Sequence, residues 1–258
     1  MPTREKDTYC IRSVENALHL LEALAEEDSK CSLSQLSSKL GMTKASLFRL
    51  MATFESHGYV ERSQGASEYK LGLAAFEVGQ KLLSRMTILR KARPVMGQLV
   101  RQCNETVYLV VQRDDDALFL EMVDNDQKVK VVPLNGRRFP LSGCAAGKIL
   151  LAFDGSLKTE NGATGELQEE LKQCQKQGFS LDKDGIGEGS TCIAVPLFNS
   201  EGQTCGSLAI VGPSFRMDQE RINKQILPAI KAAGEMASAR LGHIGYGLKN
   251  SQPAAATN

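Results

Sequence analysis

The run Gly143-Cys-Ala-Ala-Gly147 places five small residues where a helix is expected to open. The first backbone N–H groups of a helix have no partner within it, so such a start can hold a carboxylate. Ala145 and Ala146 are the candidate donors. The competing reading is close packing of the helix start on a sheet. Cys144 shares this position, where a helix N-terminus lowers a thiol pKa, and Cys192 is a second candidate thiol. A thiol-based redox sensor or an enzyme using either cysteine is therefore the alternative function. No histidine lies near them in sequence to act as a base, since His19, His57 and His243 are far apart.

A second chemistry is suggested between Thr43 and Gly58. Leu47, Leu50, Met51 and Phe54 form the apolar stripe of a helix, leaving Ala45, Arg49 and Ala52 opposite, flanked by Lys44, Ser46 and Phe48. Small residues that allow close approach, with a cation for bases and phosphates, suit a helix reading a DNA major groove. A solvated surface face would look similar. The first 75 residues carry nine basic and ten acidic side chains, but residues 39 to 70 carry five basic against three acidic. Among those five, Arg62 and Lys70 fall on the hairpin expected after the helix.

The surrounding elements support that placement. Val14, Ala17, Leu18, Leu21 and Leu24 predict a helix from about Ser13 to Glu26. Ser32-Leu-Ser-Gln35 is a capping-box pattern opening a second helix, and Gly41 ends it. Tyr59–Arg62 and Tyr69–Leu71 are strand-like, giving the order of a winged helix-turn-helix. From Leu73 to about Cys103 the pattern is helical, with a break or first turn expected at Pro94. Thr106–Gln112, Ala117–Val123 and Val129–Leu134 read as three strands. A helix is expected from Gly143 to Phe153, a loop at Gly162–Gly165 and a helix at Leu167–Gln177. Strands at Thr191–Phe198 and Cys205–Gly212 follow, then a long helix from Met217 to Leu241. The joining loops are too short for parallel crossovers, so the sheet should be antiparallel.

The whole composition narrows the function classes. A chain of 258 residues fits one or two domains. Hydrophobic residues at 42% and charged residues at 24% exclude a disordered or fibrous protein. No apolar run approaches the roughly 18 residues of a membrane helix, and the polar start Met1–Asp7 lacks the apolar core of a secretion signal. Seven cysteines without a Cys-x-x-Cys pair argue for a reducing cytoplasm and against a zinc site or disulfide framework. No metal, cofactor or membrane partner is expected. A net charge of +1 leaves charge placement to decide the question of nucleic acid.

Ile11–Leu24 and Gly41–Val60 resemble the DNA-binding domain of IclR-family bacterial transcription regulators. Arg138–Ala152, Gly178–Asp182, Gly189–Pro196 and Gly212-Pro213 resemble that family's effector domain. The resemblance runs in order over about residues 9 to 241. It implies an α+β two-domain fold. A winged helix-turn-helix over 9–72 leads into a linker and dimerisation helix over 73–88. A GAF-like α/β effector-binding domain with an antiparallel sheet follows over 89–243, and then a polar tail over 244–258. It also implies operator DNA as partner, a small organic or aromatic acid as effector, and a homodimer or homotetramer. Carried over residue by residue, the effector pocket falls on Ala145, Ala146, Asp182, Cys192, Ala209 and Val211. Two departures stand out. The family often has Ser-x-Ser where this chain has Ala209-Ile-Val211, which removes two hydroxyls and leaves a more apolar wall. The stretch from Lys148 to Gly178 is also shorter than usual, which suggests a reduced or missing helix beside the pocket.

Overall fold

The computed structural model describes residues 10–26, 30–63, 68–153 and 165–244. The chain forms two compact units, Met1–Arg85 and Met86–Asn258. The expected loop at Gly162–Gly165, save Gly165, which opens a helix, most of the turn at Ser63–Ser67, and the tail beyond Ile244 lie outside the described residues.

In the first unit, α1 (Arg12–Glu26), α2 (Leu33–Leu40) and α3 (Lys44–Ser56) surround a core of Leu20, Leu24, Leu36, Leu47, Met51 and Tyr69. The capping box is made: Ser32 Oγ accepts from the Gln35 amide at 3.3 Å, and the Ser32 amide donates to Gln35 Oε1 at 2.8 Å. Gly41 closes α2 in the left-handed conformation, φ 63°, which costs a residue without a Cβ little. Thr43 caps α3 through the Ser46 amide. β1 (Cys31–Ser32), β2 (Val60–Arg62) and β3 (Glu68–Leu71) then form an antiparallel sheet in the order β1-β3-β2. α4 (Leu73–Arg85) closes this unit.

α5 (Thr87–Cys103) opens the second unit. The expected break at Pro94 does not occur there; the helix breaks at Met86 and Pro94 lies within α5. Pro94 is on the exposed side, where water can reach the carbonyl of Arg90 that loses its partner, while Ala92, Val95, Met96 and Leu99 hold the helix by burial. A six-stranded antiparallel sheet follows in the order β6-β5-β4-β9-β8-β7. Its strands are β4 (Thr106–Arg113), β5 (Asp116–Val123), β6 (Arg138–Pro140), β7 (Ser180–Lys183), β8 (Ser190–Phe198) and β9 (Thr204–Pro213).

The strand expected at Val129–Leu134 is not formed. Pro133 has no N–H to give a ladder, and β5 pairs instead with β6. The segment is anchored by side chains: Arg216 donates to the Val129 carbonyl at 2.7 Å, and Lys130 pairs with Asp124. β6 and β7 were not foreseen, being only three and four residues long. The helix expected from Gly143 begins instead at Ala145, after a 3-10 turn at Leu141–Gly143.

α6 (Ala145–Phe153) and α7 (Gly165–Gln177), the latter expected from Leu167, cover one face of the sheet. α8 (Gln219–Arg221), a π turn at Ile222–Ile226 and α9 (Leu227–Arg240) run on as one rod. This rod and α5 pack on the opposite face, where a Cβ on Gly234 would come within 2.8 Å of Val195. Glu105 ties this layer to the sheet. Its side chain has no exposure, and its oxygens accept from Arg216 Nη2 and Arg221 Nη1, each at 2.8 Å.

Stripping a buried carboxylate of its partners typically costs about 3–5 kcal/mol. We therefore expect Arg216→Met with Arg221→Met to lose about that much in urea unfolding, and added Glu105→Met to recover most of it. A double variant that loses less than ~1 kcal/mol would show that Glu105 is solvated or otherwise paired.

Candidate functional site

In the first unit, α3 presents the face on which the DNA-contact candidates fall. Leu47 and Met51 turn inward, and Lys44, Ala45, Phe48, Arg49 and Ala52 are left exposed. Phe48 is 54% exposed, large for an aromatic side chain with nothing to pack on. Ser46 is half-buried and serves the start of its own helix: its amide donates to Thr43 Oγ1 at 3.2 Å, and its hydroxyl accepts from the same atom at 3.0 Å. Arg62 and Lys70 lie on β2 and β3. Arg62 is exposed, whereas Lys70 pairs with Glu61 at 2.8 Å and holds that carboxyl below its usual range.

In the second unit, cross-strand pairing assembles residues distant in sequence. Asp182, Cys192, Val211 and Thr106 form one row across β7, β8, β9 and β4. Ser180, Ala194, Ala209 and Tyr108 form the next. The start of α6 lies over these rows, with Ala145 and Ala146 fully buried in the same core cluster. Gly147 makes this approach possible, since a Cβ there would fall 2.3 Å from the Leu141 carbonyl oxygen.

Protein groups already meet the first amides of α6. Asp182 Oδ2 accepts from the Ala145 amide. The Gly147 amide donates to Cys144 Sγ at 3.4 Å, and the Ala146 amide acts on both the Cys144 and Cys192 thiols, pulling each down against burial. Sulfur is a weak acceptor, so these last two amides are poorly satisfied. The other carboxylate oxygen, Asp182 Oδ1, is buried and makes no well-formed hydrogen bond, with the Gly185 backbone beside it as its one close donor. Burial pushes the Asp182 carboxyl up, against the downward pull of the Ala145 and Gly185 amides and of Lys148. The thiols move the same way. Burial drives Cys144 up to about 11 and Cys192 well above its ordinary value. A reactive thiol needs the opposite shift, so the geometry does not support the redox or catalytic alternative.

Residues 13–64 match the IclR helix-turn-helix domain, and residues 80–239 match the bacterial transcriptional regulator IclR C-terminal domain. The chain belongs to the IclR family of transcriptional regulators. Relatives agree along nearly its whole length. The Escherichia coli regulator KdgR is 28% identical, covering 94% of this chain and 97% of its own. The E. coli repressor IclR is 26% identical over 89% of this chain and 90% of its own. Among solved structures, a Silicibacter IclR regulator has a TM-score of 0.71 at 26% identity, covering 90% of this chain and 97% of that one. An IclR homolog from Microbacterium hydrocarbonoxydans, complexed with 4-hydroxybenzoate, has a TM-score of 0.74 at 19% identity, covering 89% and 98%. These relatives are regulators, not enzymes.

Within this IclR chain, sequence reasoning did not find the aromatic part of the cluster. Tyr108, Phe119 and Phe139 stack edge to face in series at 5.3 Å, Tyr108 and Phe119 being fully buried. Burial pushes the Tyr108 phenol up to about 12. Alternation along the fourth and fifth strands was the available signal, because Tyr108 and Val110 share one face while Val107 and Leu109 share the other. Gly185 was missed as well. It stands so close to Asp182 that a Cβ would lie 2.8 Å from Oδ1.

Proposed function

We propose that this regulator's operator binding is controlled by an aromatic or branched organic acid bearing a hydroxyl group, held between α6 and the rows on β7, β8 and β9. The observation that carries this reading is Asp182 Oδ1, a buried acceptor with no well-formed hydrogen bond, set among apolar side chains. A ligand hydroxyl supplies the donor it lacks. A ligand carboxylate replaces the weak sulfur contacts at the Ala146 and Gly147 amides, at the positive end of α6. Ala145 remains occupied by Asp182. Ala209 and Val211 give the wall an apolar surface that suits the ligand's body. A protein of the same fold is seen with 4-hydroxybenzoate, a molecule of this class.

On the DNA side, the proposed reader is α3, with Arg49 central, Lys44, Ala45, Ser46 and Phe48 around it, and Arg62 and Lys70 on the wing. The regulator acts as a homodimer, or a tetramer built from dimers, in the cytoplasm. What supports self-association is α4, a helix of 13 residues with no buried side chain. Leu73, Phe76, Val78 and Leu82 are each more than half exposed. So short a helix is marginal without an apolar face to bury, and a second copy of the chain would bury it.

Three outcomes are expected. Arg49→Ala weakens specific operator binding roughly 10- to 100-fold in mobility shift, the value of ~1–3 kcal/mol for one good base contact, at an unchanged melting temperature. Wild-type affinity would remove Arg49 from the reading face. Phe76→Glu with Leu82→Glu yields monomers by light scattering at micromolar concentration, and unchanged mass would refute the α4 interface. In calorimetry 4-hydroxybenzoate binds more tightly than benzoate, and Asp182→Ala erases the difference. A hydrogen bond to a charged group is worth about 1.5–3 kcal/mol, so the wild-type preference should be roughly 10- to 100-fold. Equal binding of both acids to the wild type counts against the hydroxyl contact.

A further inference from the structure

Outside the residues of either candidate site, the outer face of α5 concentrates positive charge. Arg90, Arg93 and Arg101 are exposed and fall with Gly97 within a narrow arc of the helical wheel. Among the described residues none of the three makes an ion pair. Pro94 and Gly97 keep the surface between them low. Arg101 lies back along the helix, its Nη1 3.7 Å from where a Gly97 Cβ would stand. No acidic residue occurs between Glu77 and Glu105, and Glu105 is sealed by Arg216 and Arg221. On the neighbouring rod, Glu220 is already paired with Lys224 at 2.8 Å, and Glu235 lines a groove with Gln177, Phe198 and Lys231.

We propose that this stripe is a second DNA contact, binding backbone phosphates apart from those met by α3. Arg90 and Arg101 are eleven residues apart, about 16 Å along the helix, enough to span several phosphates of one strand. The planar guanidinium fork suits phosphate oxygens, and a low glycine and proline surface lets a sugar-phosphate backbone lie close. Phosphate contacts carry no sequence information, so the stripe adds affinity and fixes position without altering which operator is chosen. An acidic protein surface would also suit the stripe. DNA is favoured because it is the polyanion that this family of regulators binds.

The test uses the full chain and a random-sequence 60-base-pair duplex, measuring the slope of log affinity against log salt. Each phosphate contact contributes about 0.9 to that slope. The triple variant Arg90→Gln, Arg93→Gln, Arg101→Gln should lower it by about 2.7 per protomer, and the corresponding Arg→Lys triple should keep most of it. Should the glutamine triple fail to fold, Arg93→Gln alone lowers the slope by about 0.9. A control triple at exposed lysines elsewhere on the same unit, Lys128→Gln, Lys176→Gln, Lys183→Gln, should leave the slope unchanged. An unchanged slope in the arginine triple overturns the proposal. So does an equal fall in the control, which would mean bulk charge alone. A change in oligomer mass without a change in slope assigns the stripe to a protein surface and likewise overturns it.

Discussion

The effector unit depends on how closely the first turn of α6 is pressed onto its surroundings. Gly147 abuts the Leu141 backbone, and Ala145 and Ala146 have no exposure. Burying a helix start removes water from amides that have no partner inside the helix, at a cost of about 1–3 kcal/mol for each one left unpaired. The chain meets that demand unevenly. Asp182 gives Ala145 a charged acceptor, while Ala146 and Gly147 receive only sulfur. The same carboxylate leaves its second oxygen buried without a well-formed hydrogen bond. The fold therefore holds one strong contact and three unmet or weakly met polar groups within a few residues. A polar deficit inside an otherwise apolar core is where a small molecule gains most by binding.

Strand alternation lets one sheet serve two layers. Cys192 and Ala194 face α6, and Val195, one position beyond, faces α9. The proposed site is thus confined to one layer, and the opposite layer is free for packing. That second layer is fixed by a different device, the double arginine pairing of Glu105, which binds the end of α5 to the rod running into α9. Arg221 also reaches the Cys103 carbonyl at 2.6 Å, closing the C-terminal end of α5. A buried ion pair of this kind is weak evidence for added stability. It does tie three elements to one carboxylate, the sheet through Glu105, the turn at Arg216 and the rod through Arg221.

Local signals were legible in the sequence, and most long-range ones were not. Ser32 with Gln35, Gly41 and Thr43 set the helix limits of the first unit through contacts no more than three residues apart, and each reads directly from its residue type. Pro94 misled because proline marks a helix break only where the lost hydrogen bond cannot be made good, and here the position is exposed. Val129–Leu134 misled because a β-rich pattern makes a strand only when an edge is available to pair with. β6 had taken that edge. The link from Asp182 to Ala145 spans 37 residues and rests on a four-residue strand with no pattern of its own. Only the family resemblance put Asp182 beside α6 in advance. Tyr108, Phe119 and Gly185 had no motif to carry them.

A ligand shifts a conformational equilibrium only by the difference in its interactions with the two states. In this fold the contact most able to differ is that between Asp182 and Ala145, because it joins the edge strand β7 to the helix above it. The apolar neighbours cannot supply the difference. Cys192, Ala194 and Ala209 are already fully buried, and close-packed interiors resist gradual deformation. On the proposed reading, a ligand that adds a donor to Asp182 Oδ1 while leaving Oδ2 in place would strengthen the contact between β7 and α6. One that took the Ala145 amide for its own carboxylate would break it. The oxygen of Asp182 that each acid engaged would then decide the sign of its effect.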